Sequence, residues 1–145
     1  MSLPSATATA LDALRAAELF RKAGRVVVLT GAGISTPSGI PDFRSEGTGL
    51  WSHNEPLEAA SLTTFRTSPE KFFQWFRPLA GQIFYAQPNA AHLALADLEK
   101  HGAAVTIATQ NIDGLHQKAG SKKVLELHGT IRTLSCAQCF KKYES

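Results

Sequence analysis

Four stretches of this chain carry side chains capable of chemistry. The first runs Gly31-Ala32-Gly33-Ile34-Ser35-Thr36 and, after an interval rich in proline and glycine, reaches Asp42-Phe43-Arg44. Glycines leave backbone N–H groups open to a phosphate, because no Cβ stands in the way. An acid, an aromatic and a cation in a row on an irregular loop suggest a chemical site more readily than a packing device. The second stretch is Gln110-Asn111-Ile112-Asp113-Gly114. The third is His128 before Gly129; imidazole exchanges a proton near neutrality and suits a general base. The fourth is Cys136 and Cys139, two residues apart, a spacing that favours metal ligation or redox chemistry in a reducing compartment. Each has a plainer reading. Asp42 can cap a turn, and Asp113-Gly114 is a common turn pair. Gln110 and Asn111 can satisfy loop backbone. His128 can be a packed surface histidine or a ligand beside the cysteines.

The elements that must position these groups follow from pattern. Val26-Val27-Val28-Leu29 is a continuous apolar run, read as the core of a strand at Arg25–Leu29 that is buried on both faces, as in a parallel sheet. Ahead of it, Met1 to Ala8 is expected to be loose, and a helix spans Ala10 to Ala23, opened by Thr9 with Asp12 and closed by Gly24. The region from Gly31 to about Trp51 reads as loop with one short helical turn after Gly33, and Ser52 to Thr64 as a second loop. Ser68-Pro69-Glu70 is a helix start with an N-cap, a proline at the first position and an acid near the positive end. That helix runs to Pro78, with a separate turn at Gln82–Ala86. Its Phe72, Phe73, Trp75 and Phe76 cannot all face one core; they fit a helix buried between two layers or the wall of an apolar channel. Asn89 caps a helix over Ala90–Lys100 whose apolar stripe is Leu93, Leu95, Ala96 and Leu98. Ala103–Ala108 is the second strand, Leu115–Ala119 a short helix stopped by Gly120, and Lys123–Leu127 the third strand. Strands alternating with helices, each strand ending in a polar loop, predict an α/β parallel sheet. The three loops then meet at its C-terminal edge, where ligands bind in such sheets.

Composition narrows the class. The chain has 145 residues, 43% hydrophobic and 19% charged, which suits one globular domain and not a disordered segment. No apolar run approaches the roughly 18 residues of a membrane span, and the start lacks a secretion-signal pattern. The expectation is a cytoplasmic protein without a membrane partner. The net charge of +3 is read as solvated lysines and not as a nucleic-acid surface. Thr36 stands where the third glycine of a dinucleotide fingerprint belongs, and no acid ends a strand about 20 residues on, which argues against an ordinary hydride-transferring dehydrogenase. The absence of Gly-Lys-Ser/Thr excludes a P-loop nucleotidase.

Gly-Ala-Gly-Ile-Ser (31–35), Pro-Asp-Phe-Arg (41–44), Thr-Gln-Asn-Ile-Asp (109–113), Leu-His-Gly (127–129) and the Cys136/Cys139 pair occur in that order. In this the chain resembles the sirtuin family, the NAD-dependent protein lysine deacylases, from about Ala16 to Cys139. The resemblance implies a Rossmann-like parallel sheet with helices on both faces: residues 1–131 as a partial NAD-binding catalytic domain, and residues 132–145 as the beginning of a small zinc-binding module. It implies that Gly31, Ala32, Gly33 and Thr36 hold the phosphate and ribose side of NAD, with Ser35 near the ribose. Asp42 belongs to the same cofactor loop. Phe43 would shield the reactive sugar carbon and Arg44 would position the cofactor. Gln110 and Asn111 would order the nicotinamide ribose, Asn111 also as a catalytic residue. Ile112 and Asp113 would hold the carboxamide, and His128 would be the general base. Cys136 and Cys139 would be half of a structural zinc tetrad. The implied reaction removes an acyl group from a lysine of a protein or peptide and yields nicotinamide and an O-acyl-ADP-ribose.

Two departures from the family pattern bear on this. Members continue with a second cysteine pair and the rest of the dinucleotide-binding half, so a truncated chain is expected. His116 and His128 could complete the metal site, but His128 cannot be both ligand and base. Members that remove dicarboxylic acyl groups carry a Tyr and an Arg three apart; Phe76 and Leu79 stand nearest that spacing, so acetyl is the expected acyl group. A mono-ADP-ribosyl transferase and a non-catalytic fragment that binds NAD or ADP-ribose are the alternatives.

Overall fold

A computed structural model describes residues 6–42, 58 and 60–144. Three strands, β1 (Val26–Thr30), β2 (Val105–Thr109) and β3 (Val124–Glu126), form a parallel sheet in the order β1-β2-β3. The register pairs Val26 with Val105, Thr30 with Thr109, and Thr109 with Glu126. Parallel neighbours need crossover connections, and the chain supplies them with helices. Between β1 and β2 lie α2 (Leu62–Thr67), α3 (Pro69–Tyr85) and α4 (Ala90–Lys100); between β2 and β3 lies α5 (Leu115–Ala119). The sheet follows α1 (Ala6–Lys22), and an antiparallel pair, β4 (Thr133–Ser135) and β5 (Lys142–Glu144), comes last.

Several boundaries differ from the expectations. The first helix begins at Ala6 and encloses Thr9, because alanine-rich sequence extends a helix cheaply. The strands begin and end one or two residues from the predicted positions. Residues 62–64, read as loop, open α2, and the Ser61 side chain caps it by accepting from Thr64 N–H. Ser68 gives α3 no side-chain cap; its N–H donates to Thr64 O and closes α2. α3 does not stop at Pro78 but runs on to Tyr85. Proline deletes one helical hydrogen bond and crowds the preceding turn. Beyond it, Ile83 and Leu79 pack into the core, and that burial outweighs the loss: each large apolar side chain contributes about 1.5–3 kcal/mol.

The core lies beneath the loops. Ile40 from the first loop, Ile83 and Ala86 from the end of α3, and Leu115 from α5 form its centre, with Leu79 and Ile131 against them. Hydrophobic burial therefore gathers the first loop, the start of α5 and the segment after His128 around one cluster. On the sheet, Thr30, Val105, Ile107 and Thr109 are buried on the face bearing α4 and α5. β1 is not covered on both faces among the described residues: Val27 is 73% and Leu29 67% exposed. Aliphatic continuity cannot show how many neighbours a strand will have. Among the described residues the aromatic run of α3 is not sandwiched between two layers either. Phe72 packs edge-on against Phe65 of α2 at 5.2 Å and stacks on Phe76 at 5.6 Å, while Phe73 remains 41% exposed.

Candidate functional site

The sheet's C-terminal edge is where the loops join. Gln110 N–H donates to Thr30 O at 3.0 Å, and Leu127 N–H donates to Thr109 O at 2.8 Å. These bonds continue the strand ladders into the loops. Ile131 N–H reaches Ile112 O at 3.1 Å, so the segment after His128 is tied to the second loop as well.

The first loop is two consecutive turns of 3-10 helix, Ala32–Ile34 and Thr36–Ser38, where one short turn was expected. Their i→i+3 bonds fix each turn's shape. Gly39 closes the second turn at φ +84, left-handed backbone that glycine adopts without penalty. Gly33 is exposed, and a Cβ built on it would meet nothing within 4 Å. The backbone there faces open space. Thr36, also exposed, turns its hydroxyl back to Gly33 O. Asp42 is half-buried. Phe43 and Arg44 lie outside the described residues.

At the centre stands Ser35, 1% exposed. Its hydroxyl donates to Asp113 Oδ2 at 2.7 Å and accepts from Asn111 Nδ2 at 3.1 Å. The same Asn111 amide donates to Gly31 O at 3.0 Å. Asp113 Oδ1 accepts from Leu115 N–H, which turns the chain into α5. Asn111 N–H is held by Thr109 Oγ1. Loop one and loop two are thus locked together through side chains that serve one another, and Ile112 is half-buried between Asn111 and Asp113. Gln110 and His128 are exposed. Gly129, at φ +86, makes the turn that carries His128 past the strand end. Arg132 steadies that turn from behind, pairing with both oxygens of Glu126 at 3.1 and 3.2 Å.

Beneath the two loops is a pair of buried histidines that the sequence reading did not assign to the site. His92 is 0% and His116 1% exposed, and their rings lie 4.8 Å apart in an edge-to-face arrangement. His116 Nε2 meets Thr30 Oγ1 at 3.0 Å. Burial pushes the His116 imidazole down to about 4, with His92 adding to the effect and Asp113 opposing it. Burial also lowers His92, against the pull of Asp113. Both rings are therefore neutral at pH 7. Helical spacing held the signal for one of them, since His92 is three residues before Leu95 and seven before Glu99, the half-buried side of α4. The predicted stripe placed Leu93 and Leu98 inward, yet Leu93 is 53% exposed.

The cysteines sit between β4 and β5. The backbone N–H of Cys139, then that of Gln138, donates to Cys136 sulfur and holds its thiol below the usual range. That favours the thiolate, the form that binds metal. Among the described residues no group of three or more His, Cys, Asp or Glu is arranged to hold a metal ion. His116 lies with His92 and Thr30 instead.

A cavity of about 410 Å³ opens beside the loops, lined by Ile83, Phe84, Asp113, Leu115, Ile131 and Arg132 among others. A larger cleft of about 1120 Å³ runs along α4 and the start of β2 and includes none of the loop residues. Of the predicted site residues named above, the smaller one is lined by Asp113.

A model of the Sir2 family matches residues 31–145. Over 128 residues the chain is 51% identical to NAD-dependent protein deacetylase 2 of Caldanaerobacter subterraneus, a match covering 88% of this chain and 51% of that protein. It is 50% identical over 129 residues to the NAD-dependent protein deacetylase of Bacillus subtilis, covering 87% and 52%. A Sir2 variant solved with a deacetylated p53 peptide and 3'-O-acetyl ADP ribose has a TM-score of 0.82 at 42% identity, covering 90% of this chain and 52% of that one. A Sir2 homolog–NAD complex has a TM-score of 0.81 at 40% identity, covering 90% and 51%. The chain spans about half the length of the curated relatives it matches.

Proposed function

Because the chain belongs to the Sir2 family, we propose that it carries the nicotinamide-side half of an NAD-dependent protein lysine deacylase. One observation supports this most: the Ser35–Asp113–Asn111 network binds two loops together at the C-terminal edge of a parallel sheet. The site suits the cofactor. The open backbone at Gly33 gives N–H groups a clear approach to phosphate oxygens, and the polar loop edges offer donors and acceptors to a ribose and a carboxamide.

When bound, NAD supplies a sugar carbon that loses nicotinamide and accepts the amide oxygen of an acyl-lysine. The residues have these parts. Gly31, Ala32, Gly33, Ser35 and Thr36 hold the phosphate and ribose side, with Asp42 in the same loop, and Phe43 and Arg44 complete it. Ile112 and Asp113 receive the carboxamide. Gln110 and Asn111 orient the ribose, Asn111 being fixed by Gly31 O and Ser35 Oγ. Orientation of this kind supplies ~7–11 kcal/mol in favourable reactions. His128, exposed at the loop edge, takes the proton of a ribose hydroxyl.

Cys136 and Cys139 would give two of the four thiolates of a structural zinc, in a segment that starts near residue 132. Four thiolates leave the metal no open position, so it does not activate water. Acetyl is the preferred acyl group, on a lysine of a protein or peptide in the cytoplasm. Among the described residues no helix is long and apolar enough to cross a membrane.

The test is to incubate the chain with NAD and an acetyl-lysine peptide and follow the products by mass spectrometry. Free lysine peptide with O-acetyl-ADP-ribose is the expected outcome. ADP-ribosylated peptide would assign a transferase instead. NAD binding by calorimetry without turnover would assign a cofactor-binding half, and no binding would overturn the reading.

A further inference from the structure

We propose that Asn89 is a positioning residue for the first loop: it latches both 3-10 turns to the start of α4. The inference deepens the cofactor reading and rests on it for its functional consequence.

The loop's own hydrogen bonds are local. Ile34 N–H donates to Gly31 O, Ser35 N–H to Ala32 O, Ser38 N–H to Ser35 O, and Gly39 N–H to Thr36 O. Such bonds shape each turn but do not place the pair of turns in space. Runs of 3-10 helix this short have little stability of their own. Placement must come from contacts distant in sequence. Those of Asn111 and Asp113 act from the sheet edge, at Gly31 and Ser35. At the other side, beside the packing of Ile40 on Ile83 and Ala86, Asn89 supplies hydrogen bonds: Nδ2 donates to Ile34 O at 2.7 Å and to Ser38 Oγ at 2.9 Å, across 55 and 51 residues. The first acceptor ends one turn and the second ends the other.

The rest of Asn89 is committed in a way that aims the amide. Oδ1 accepts from Ala91 N–H at 3.0 Å, the helix-capping bond, and Asn89 N–H donates to His92 Nδ1 at 3.4 Å. With the carbonyl end engaged by the helix, the NH₂ end must face the loop. Aspartate or serine would cap α4 as well. Neither has the two donors on one nitrogen that the latch uses. The chemistry of the side chain therefore separates capping from latching.

That separation gives the experiment. Asn89→Asp retains a capping oxygen and sets a carboxylate against Ile34 O; Asn89→Ser retains a capping oxygen and is neutral. Amide hydrogen exchange is read at Ile34, Ser35, Ser38 and Gly39, and at Leu93 in α4 as the capping control. In each variant we expect loop exchange at least tenfold faster, Leu93 within twofold of the original chain, and the Kd for NAD raised about tenfold with the unfolding midpoint little changed. Loop amides at the original rate would overturn the proposal. So would acceleration of Leu93 equal to that of the loop, which would make Asn89 a cap alone. An unchanged Kd in a chain that binds NAD would also overturn it. A starting chain that binds no NAD would count against the deacylase reading, while the exchange rates would still decide the latch. Asn89→Ser covers the case in which the buried charge of Asn89→Asp prevents folding.

Discussion

The Ser35 hydroxyl donates to Asp113 Oδ2 at 2.7 Å across 78 residues of sequence. The bond joins the loop after β1 to the loop after β2, and Asn111 closes the figure by donating to Ser35 Oγ. Among the described residues of the first loop no other side chain is as deeply enclosed: Ser35 is 1% and Ile40 7% exposed. Loss of this hydroxyl takes a donor from the Asp113 carboxyl group and an acceptor from the Asn111 amide. Ser35→Ala should lower stability by about 1–3 kcal/mol, the usual cost of an orphaned buried polar group. The urea midpoint at pH 7.5 measures it, and NAD affinity should fall in the same variant. A midpoint equal to that of the original chain would show that water replaces the hydroxyl.

His128→Ala tests the base. General-base removal costs about 10²–10⁴ in turnover. His128 is exposed, and its loop is held by Leu127, Ile131 and Arg132, so truncation should leave folding intact. Deacetylation should drop by that factor while NAD affinity changes far less. Full turnover in His128→Ala would end the proposed mechanism.

The histidine pair makes stability depend on pH in one direction. His116 titrates at about 4 in the folded chain and near 6.5 when unfolded. The unfolded state therefore binds more protons across that interval, and stability falls as pH drops through it. His92, shifted the same way, adds to the trend. The contribution is complete above about pH 7 and lost on acidification toward pH 4, a loss on the order of 3 kcal/mol. Urea midpoints at pH 7.5, 6 and 5 should decline less steeply in His116→Gln than in the original chain. Parallel curves would show that the two rings carry no such weight.

The proposed acetyl preference rests on one helix. Leu79 packs against the core cluster, and Phe76 stacks on Phe72 with ring planes 23° apart. Neither offers a donor or a cation to a second carboxylate. Acetyl-lysine should therefore be processed at least tenfold faster than succinyl-lysine, since burying an unpaired carboxylate is costly. Matched peptides in competition give the ratio, and a ratio below one would reverse the assignment.

Much of this architecture was legible in the order of residues. Asn89 and Gly120 mark the ends of α4 and α5 where the helices do begin and stop, because capping and left-handed termination act over a few residues. The glycine pair after Val26–Leu29 and the polar run at Gln110–Asp113 announced where β1 and β2 end and open into loops. Other features depended on neighbours far along the chain. That Pro78 sits inside a helix follows from what Leu79 and Ile83 bury against. That His92, and not Leu93, faces inward follows from His116 and the sheet. The second use of Asn89 exists only because Ile34 and Ser38 arrive beside it. Backbone preference is settled within a turn or two of chain, whereas burial and shared hydrogen bonds are properties of a pair, and neither partner's position is written in the other's surroundings.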